Sequence, residues 1–332
     1  MTHRTRILLA AICILHAFFI PLQAFAQTWT GDKPYSNSRF ITIDSITLHY
    51  RVWPSGLAHP RGKVVFIHGF TGSTFCFQNN YDTLVNSGYT VVALDLPAFG
   101  FSDRATWINH SQSSRAILIW KLLNMIDKGD SSGWNIIGHS MGGGTAEAVA
   151  LMHLERTTSL ILIDAMFFKK NSGLMSTVFS VIKIKPLNQF YFDYMENYLL
   201  TYNRMKKLLK SAYKRKPDSA EVAGYMIPLM IPGTADAIVS NFSNCREIIP
   251  LNADSLKGLN VMAVWGTRDS WIPLRMTALL KTYVPNLELH TVKGAGHMPM
   301  ETHAAQFNSI MMEFLNRVND KKASQASCIR HQ

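Results

Sequence analysis

The sequence predicts an α/β protein whose mostly parallel central sheet is flanked by helices and carries a helical cap insertion. Short apolar runs of strand length alternate with helical patterns over residues 63–164, and the alternation resumes at residue 260. This order of elements is typical of parallel sheets whose strands are joined by helices. Between the two regions the alternation stops, and aromatic residues, methionine and proline become frequent. We expect several short helices there, forming the cap.

Two residue patterns identify the predicted strands. Residues 39–44 and 46–53 alternate apolar and polar side chains about a short turn and predict an antiparallel hairpin. Continuous apolar runs predict strands that are buried on both faces, at residues 63–68, 90–95, 134–139, 159–164, 260–266 and 287–292. Right-handed crossovers place the carboxyl ends of such strands at one edge, where we expect the functional site.

Helical spacing fills the intervals between the strands. Ser73 or Thr74 can cap a helix that runs towards Val85, and further helices are predicted at residues 110–127, 143–154 and 273–283. A last helix from Glu301 carries a core-facing apolar stripe formed by Phe307, Ile310, Met311, Phe314, Leu315 and Val318. The polar residues that follow predict a disordered tail.

These patterns divide the chain into five segments. Residues 1–26 are predicted to be a signal peptide, and residues 320–332 a flexible tail. The core comprises residues 27–165 and 257–319, and residues 166–256 form the cap inserted between its two parts.

The N-terminus has the three-part pattern of a secretory signal peptide. Basic residues within positions 3–6 precede an apolar run at residues 7–20, and Ala24 and Ala26 supply the small residues of a cleavage site. The mature chain should begin near Gln27. Because the apolar run is shorter than the roughly 20 residues of a membrane span, we expect export to the periplasm or medium, with an uncleaved membrane anchor as the minor alternative.

The net charge of +11 is the strongest bias in the composition. No arginine-rich arm, metal-finger spacing or aromatic RNA-binding signature accompanies it, so no nucleic-acid partner is expected. Basic residues cluster on one predicted helical face at residues 206–216, which indicates a solvated surface. The alternative is docking of this face to anionic lipid, which would give a weak association with lipid surfaces.

The cysteine and histidine spacing predicts no metal site. No Cys-x-x-Cys pair or mixed cluster has the spacing of metal ligands, and no cofactor is expected. Removal of a signal peptide leaves Cys76, Cys245 and Cys328, among which at most one disulfide can form. Whether any pair bonds is left open, and separate buried thiols are favoured.

Three side chains at predicted strand ends suggest the chemistry. Residues 138–142, Gly-His-Ser-Met-Gly, follow a strand and open a helix, which predicts a sharp turn with Ser140 at its apex. Asp269 follows the strand at residues 260–266, and His297 lies in a glycine-rich loop after the last strand. A serine hydroxyl becomes a nucleophile when an imidazole takes its proton and a carboxylate orients that imidazole. The three residues therefore predict acyl transfer.

The chain order of nucleophile, acid and histidine resembles that of the α/β-hydrolases. The resemblance covers residues 39–318 and includes the His-Gly-Phe motif at residues 68–70 and the loop motif at residues 95–102. Ala98 in that loop departs from the glycine that is more usual in the family. The resemblance implies an α/β-hydrolase fold with a helical cap.

The resemblance also implies a role for each residue of the site. Ser140 would be the nucleophile, His297 the general base and then acid, and Asp269 the group that orients the histidine. The backbone N–H groups of Phe70 and Met141 would form the oxyanion hole.

Other polar residues near the predicted strand ends have alternative interpretations. Asp164 also follows a strand and is an alternative acid, because some members of the fold take the acid from that strand. Asp95 is expected to brace its own loop, and His68 to pack beneath the oxyanion loop. His139, beside the serine, is expected to be buried and hydrogen-bonded.

The implied function is that of an esterase or lipase, a serine hydrolase that cleaves carboxylic esters with apolar acyl or alkyl groups beneath the cap. Serine at the turn excludes the dehalogenase and epoxide-hydrolase branches of the fold, whose nucleophile is aspartate. Three alternatives remain: a carbon–carbon bond hydrolase, an acyltransferase or perhydrolase with the same triad, and a non-catalytic ligand-binding protein. The expected partner is a small-molecule ester, and the oligomeric state is left open.

Overall fold

An eight-stranded sheet lies at the centre of the structure. The computed structural model describes residues 33–167, 200–249 and 251–330. Within these residues the strands are β1 (Ser38–Ile43), β2 (Ile46–Trp53), β3 (Gly62–Ile67), β4 (Tyr89–Leu94), β5 (Trp134–His139), β6 (Thr157–Ile163), β7 (Asn260–Gly266) and β8 (Glu288–Val292). Their order across the sheet is β1-β2-β4-β3-β5-β6-β7-β8.

The antiparallel pairs lie at the β1 end of this sheet. β1 pairs with β2, and β2 with β4, in antiparallel register, and the pairs from β4–β3 to β7–β8 are parallel. Every residue of β5 is buried, so both faces of the sheet are covered there. The predicted class, a mostly parallel sheet flanked by helices, is confirmed.

The helices follow the strands in the alternating order that the sequence predicts. The described helices are α1 (Tyr81–Asn86), α2 (Gln112–Asp127), α3 (Met141–Met152), α4 (Tyr202–Tyr213), α5 (Ser219–Leu229), α6 (Thr234–Ser243), α7 (Thr277–Tyr283), α8 (Pro299–Thr302) and α9 (Ala304–Arg330). The Ser111 side chain caps α2, and Asp218 forms a capping box with Glu221 at the start of α5.

A buried carboxylate braces the loops after β4. Oδ1 of Asp95 accepts the N–H of Thr74 at 2.6 Å, and Oδ2 accepts the N–H of Phe101 and the Nδ1–H of His49, each at 2.7 Å. Ala98 in this loop has φ 76°, a left-handed conformation that favours glycine and explains why glycine is more usual there. Asp95 thus braces the loop, as the sequence analysis expects.

The described part of the predicted cap consists of α4, α5 and α6, called the cap helices below. They reach the core in part through Arg104, whose Nη2 donates to the carbonyl oxygen of Pro228 at 2.7 Å and whose Nε donates to Oγ1 of Thr234 at 2.8 Å. Residues 168–199 of the predicted cap lie outside the described residues. The boundaries at residues 166 and 256 stay predictions.

Helix α4 turns its basic face away from the core. Met205 and Leu209 are buried, whereas Lys207 and Lys210 are exposed. This amphipathic arrangement agrees with a solvated surface. Docking of the basic face to anionic lipid stays a prediction, and vesicle binding that charge reversal at Lys207 and Lys210 leaves unchanged would reject it.

The first predicted helix is interrupted. A single helix from Ser73 towards Val85 is wrong, because a 3-10 turn at Thr74–Phe77 ends before α1 begins. Ser73 does cap that turn, accepting the N–H of Phe75. Between the two elements Nδ2 of Asn80 donates to the carbonyl oxygen of Met300 at 3.1 Å, so this segment is held by long-range contacts rather than by helical spacing.

The predicted tail is also different. Helix α9 continues to Arg330, so a disordered segment from Asp320 onward is wrong for the backbone up to that residue. The physical reason is in the sequence itself, because residues 304–330 contain neither glycine nor proline and include several alanines. Polarity alone therefore does not end a helix that already has a packed first half.

Several sequence predictions are not decided by the fold. The predicted signal peptide lies outside the described residues, so export stays a prediction. Among the described residues no single helix is both long and apolar enough to cross a membrane, and α5 and α6 pass that test only together, as a pair bent by 77°. Cys76 and Cys245 are free thiols, the first buried and the second exposed, so burial was wrongly expected for Cys245.

Candidate active site

The turn between β5 and α3 holds Ser140 in a strained conformation. Its φ of 53° and ψ of −122° lie where a residue with a side chain is rarely found. A Cβ at Gly142 would lie 2.3 Å from the carbonyl oxygen of His68, and one at Gly138 would lie 2.4 Å from the carbonyl oxygen of Gly142. Only glycine fits at these two positions, so the motif Gly-x-Ser-x-Gly is required by close backbone packing.

The structure brings the three predicted side chains together. Nε2 of His297 lies 2.9 Å from Oγ of Ser140, and Nδ1 of His297 lies 2.8 Å from Oδ2 of Asp269. His297 is 2% exposed and Asp269 is 7% exposed. Because the imidazole contacts a hydroxyl on one side and a carboxylate on the other, it can take the hydroxyl proton while the carboxylate stabilises the resulting cation.

Asp269 is held as a carboxylate by the groups around it. Burial alone would raise its pKa, but hydrogen bonding to His297 and to the backbone outweighs burial, and the pKa is lowered. The N–H groups of Trp271 and Ile272 donate to Oδ1 at 2.7 and 3.1 Å. The Trp271 ring also lies 5.0 Å from the His297 ring, centroid to centroid. These contacts therefore favour the charged form of Asp269 and hold the His297 ring in its orientation.

Asp164 lies beside this pair but has a different environment. Nδ1 of His297 hydrogen-bonds to Asp269 and not to Asp164. Oδ1 of Asp164 instead accepts the N–H of Gly266 at 3.0 Å. Burial, and then the negative charge of Asp269, raise the pKa of Asp164 well above its usual value. Hydrogen bonding between the two carboxyl groups raises the pKa of Asp164 further and lowers that of Asp269, so we infer that Asp164 is the proton donor of the pair.

The His-Gly-Phe loop lies against the nucleophile. A Cβ at Gly69 would be 2.8 Å from Cβ of Ser140, so the backbone before Phe70 runs directly beside the serine. The N–H of Phe70 has no acceptor among the described residues, and Met141 opens α3, where the first N–H groups lack intrahelical acceptors. Two free N–H donors on either side of the serine suit a developing oxyanion.

His68 supports this loop from below. Its Nε2 accepts the N–H of Leu96 at 2.9 Å, so its Nδ1 carries the proton and donates to the carbonyl oxygen of Gly69 at 2.7 Å. The side chain is fully buried, and burial lowers its pKa. A neutral His68 therefore fixes the loop and takes no part in proton transfer, as the sequence analysis expects.

His139 links the serine turn to the histidine loop. Its Nε2–H donates to the carbonyl oxygen of His297 at 2.8 Å. Burial, followed by the neighbouring His297, lowers the pKa of His139 to about 3, which keeps its ring neutral. The side chain is thus buried and hydrogen-bonded, and it holds the backbone of His297 in place.

Aromatic side chains from the core and from a cap helix meet at Phe70 of the His-Gly-Phe loop. The ring of Phe70 lies 5.6 Å from that of Phe99 and 5.2 Å from that of Phe242, which belongs to α6. The sequence predicts only that aromatic residues are frequent in the cap segment, and it does not indicate that Phe242 meets the oxyanion loop. No local signal in the sequence indicates this contact, because the two residues are far apart in the chain.

One cluster of the described residues has the spacing of a metal site. The ligand atoms of Asp164, Asp269 and His297 lie within 4.8 Å of one another, and carboxylates with imidazole are a suitable donor set. Asp269 already hydrogen-bonds to His297, and Asp164 accepts the N–H of Gly266. Nδ1 of His297 also needs its proton for the bond to Asp269. The geometry therefore fits acyl transfer by side chains better than metal ligation.

The comparisons with known proteins agree with this geometry. A model of the alpha/beta hydrolase fold family matches residues 63–304. The match begins within β3 and ends at the start of α9, so it includes every residue of the site described above.

Relatives of similar length are found in bacteria. The chain is 25% identical over 280 residues to the uncharacterized hydrolase YugF of Bacillus subtilis (strain 168), covering 83% of this chain and 97% of YugF. It is 27% identical over 311 residues to the 2-hydroxy-6-oxononadienedioate/2-hydroxy-6-oxononatrienedioate hydrolase of Escherichia coli (strain K12), covering 85% of this chain and 96% of that enzyme.

A similar fold has been solved for a membrane phospholipase A described as a bacterial virulence factor. Its structure aligns with a TM-score of 0.66 at 22% identity, covering 95% of this chain and 97% of that one. At this identity the likeness concerns the fold.

The geometry predicts that Ser140 reacts with a fluorophosphonate probe. We expect Ser140→Ala to abolish labelling, and His297→Ala to slow it strongly, because the hydroxyl then keeps its proton. Labelling is measured by intact-protein mass spectrometry, with the exposed Ser309 changed to alanine as a control that leaves it unchanged. Equal labelling of wild type and Ser140→Ala would contradict the predicted nucleophile.

The environments of the two carboxyl groups predict unequal effects of their removal. The labelling rate of Asp164→Asn should be within about threefold of the wild-type rate, because an amide keeps both an acceptor for Gly266 and a donor for Asp269. Asp164→Ala should be slower by about tenfold or more, since a hydrogen bond to a charged group is lost. Asp269→Asn should be slower still. If Asp164→Asn is as slow as Asp269→Asn, Asp164 is the acid instead.

Proposed function

This chain belongs to the α/β-hydrolase fold family and is a hydrolase, and we propose that it is an exported serine hydrolase that cleaves carboxylic esters. The substrates would be esters with apolar acyl or alkyl groups, and the reaction would pass through an acyl-serine intermediate. The observation that carries it is the contact of His297 with both Ser140 and Asp269, at 2.9 and 2.8 Å.

In the proposed mechanism, Oγ of Ser140 attacks the ester carbonyl carbon while its proton moves to Nε2 of His297. The carbonyl oxygen becomes an oxyanion that accepts the N–H groups of Phe70 and Met141. Such a donor typically contributes about 2.7–4 kcal/mol to barrier lowering. The imidazolium returns the proton to the departing alcohol, and the acyl group stays on the serine. Water, deprotonated by the same histidine, then releases the acid.

The aromatic cluster supports an apolar substrate. Phe70, Phe99 and Phe242 pack together beside the backbone that touches Ser140. An acyl or alkyl chain placed against them would leave water, at about 0.8 kcal/mol per buried CH₂ group.

A second candidate function is carbon–carbon bond hydrolysis. It is favoured by the relative from Escherichia coli, whose name states that it hydrolyses 2-hydroxy-6-oxononadienedioate. The serine motif argues against this function, because residue 139 is histidine here, whereas carbon–carbon bond hydrolases more often have asparagine at that position. Acyl transfer to an alcohol or to peroxide would use the same acyl-serine, and a purely ligand-binding protein would not react with the fluorophosphonate probe.

The ester proposal predicts a graded response to chain length. On p-nitrophenyl esters, kcat/KM should rise by up to about fourfold per added CH₂ as long as the added group is buried against the aromatic cluster. Loss of Ser140 or His297 should lower kcat on the order of 10⁶-fold, and loss of Asp269 on the order of 10⁴-fold, without additivity. A 2-hydroxy-6-oxodienoate serves as the competing substrate. If it is cleaved with the higher kcat/KM, the carbon–carbon assignment replaces the ester assignment.

Export predicts a shortened mature protein. When the full chain is expressed in a bacterium, the product in the periplasm or medium should begin near Gln27, because signal peptidase cleaves after the small residues. N-terminal sequencing and cell fractionation measure this. Replacing Ala24 and Ala26 with bulky residues should block processing. An active product in the cytoplasm that still begins at Met1 would overturn export.

A further inference from the structure

A buried carboxyl group outside the triad connects the cap helices to the histidine loop. Glu301 lies on α8, four residues after His297, and is 8% exposed. The hydroxyl of Tyr213, at the end of α4, donates to Oε2 at 2.7 Å. The hydroxyl of Tyr225, in the middle of α5, donates to Oε1 of the same carboxyl group. One side chain of the core therefore binds two of the cap helices.

A backbone hydrogen bond also joins the end of α4 to the loop of His297. The N–H of His297 donates to the carbonyl oxygen of Ala212 at 2.7 Å, one residue before Tyr213. A Cβ at Gly296 would lie 2.0 Å from that carbonyl oxygen, so the close approach depends on glycine. The end of α4 is thus bonded both to the proposed general base and to Glu301.

The carboxyl group is costly for the fold. Burial raises the pKa of Glu301 to about 7, in spite of the two tyrosine hydroxyls that lower it. Apolar residues in place of buried ionic groups often leave a protein as stable or more stable. A costly group at the junction of cap and core is therefore better explained by a need for defined geometry than by stability.

We propose that Glu301 is a positioning residue that fastens α4 and α5 to the loop of His297, so that the imidazole is aligned with Ser140 only while the cap helices are in place. This inference rests on the proposed function and adds to it. A shift of about 1 Å in a catalytic group can lower the rate on the order of 10²-fold. Loosening the cap should accordingly slow the chemical step, even for substrates too small to touch the cap.

The test uses variants of nearly unchanged shape. Tyr213→Phe and Tyr225→Phe each remove one hydroxyl donor, and Glu301→Gln replaces one acceptor oxygen with an NH₂ group that cannot accept a hydroxyl proton. Glu301→Gln, Tyr213→Phe and Tyr225→Phe should each lower kcat on p-nitrophenyl acetate by about tenfold or more, with KM changed less than about threefold. The double variant Glu301→Gln with Tyr213→Phe should lose no more than the worse single variant, because both break one connection.

The matched control is Tyr283→Phe. The hydroxyl of Tyr283 donates to Oε1 of Glu147 at 3.1 Å, so it forms another buried tyrosine–glutamate pair, which joins α7 to α3 and contains no residue of the cap helices. Tyr283→Phe should lower Tm by about as much as the Glu301, Tyr213 and Tyr225 variants do. Its kcat should nevertheless stay within about twofold of the wild-type value. Hydrogen exchange should rise together in residues 202–229 and 293–303 of the Glu301 variants, and in neither segment of the control.

The outcomes separate this inference from the proposed function. Unchanged kcat in all three variants, or faster exchange in the cap segment alone, overturns the positioning role. If Glu301→Gln does not fold, the two tyrosine variants decide by the same criteria. If the wild type neither hydrolyses esters nor labels with a fluorophosphonate, the proposed function fails, and hydrogen exchange alone decides whether Glu301 ties the cap to the His297 loop.

Discussion

The backbone strain at Ser140 is the constraint on which the rest of the site depends. A residue with φ 53° is retained because β5, α3 and the loop after β3 approach too closely for any other path. That path lifts the hydroxyl clear of the backbone and, in the same turn, leaves the N–H of Met141 without an acceptor among the described residues. The strain is offset by the buried sheet on which the turn is built.

Burial favours the neutral form of three groups around the serine. His68 and His139 have lowered pKa values and Asp164 has a raised one, and all three serve as hydrogen-bonding supports. Asp269 alone among these groups has a lowered carboxyl pKa. Asp269 is therefore the carboxylate that orients His297 and stabilises its cation when the imidazole accepts the serine proton.

The differences between sequence and structure have a common physical cause. Local pattern predicted a continuous helix after Ser73, yet Asn80 is held by Met300, more than two hundred residues along the chain. Local polarity predicted a disordered tail from Asp320, yet a helix with no breaker continues to Arg330. In both places the sequence signal was weak, and contacts or helix propensity that the pattern did not weigh decided the outcome.

The sequence by itself determined the fold class, the strand order along the chain and the identity of Ser140, Asp269 and His297 as candidates, because apolar periodicity and glycine placement are local properties. It left open whether Asp164 or Asp269 faces the imidazole, and it gave no sign of Glu301 or of Phe242 meeting Phe70. Those choices were decided only by tertiary structure, since each is a contact between segments distant in sequence, and burial set the protonation of the buried groups once those segments had met.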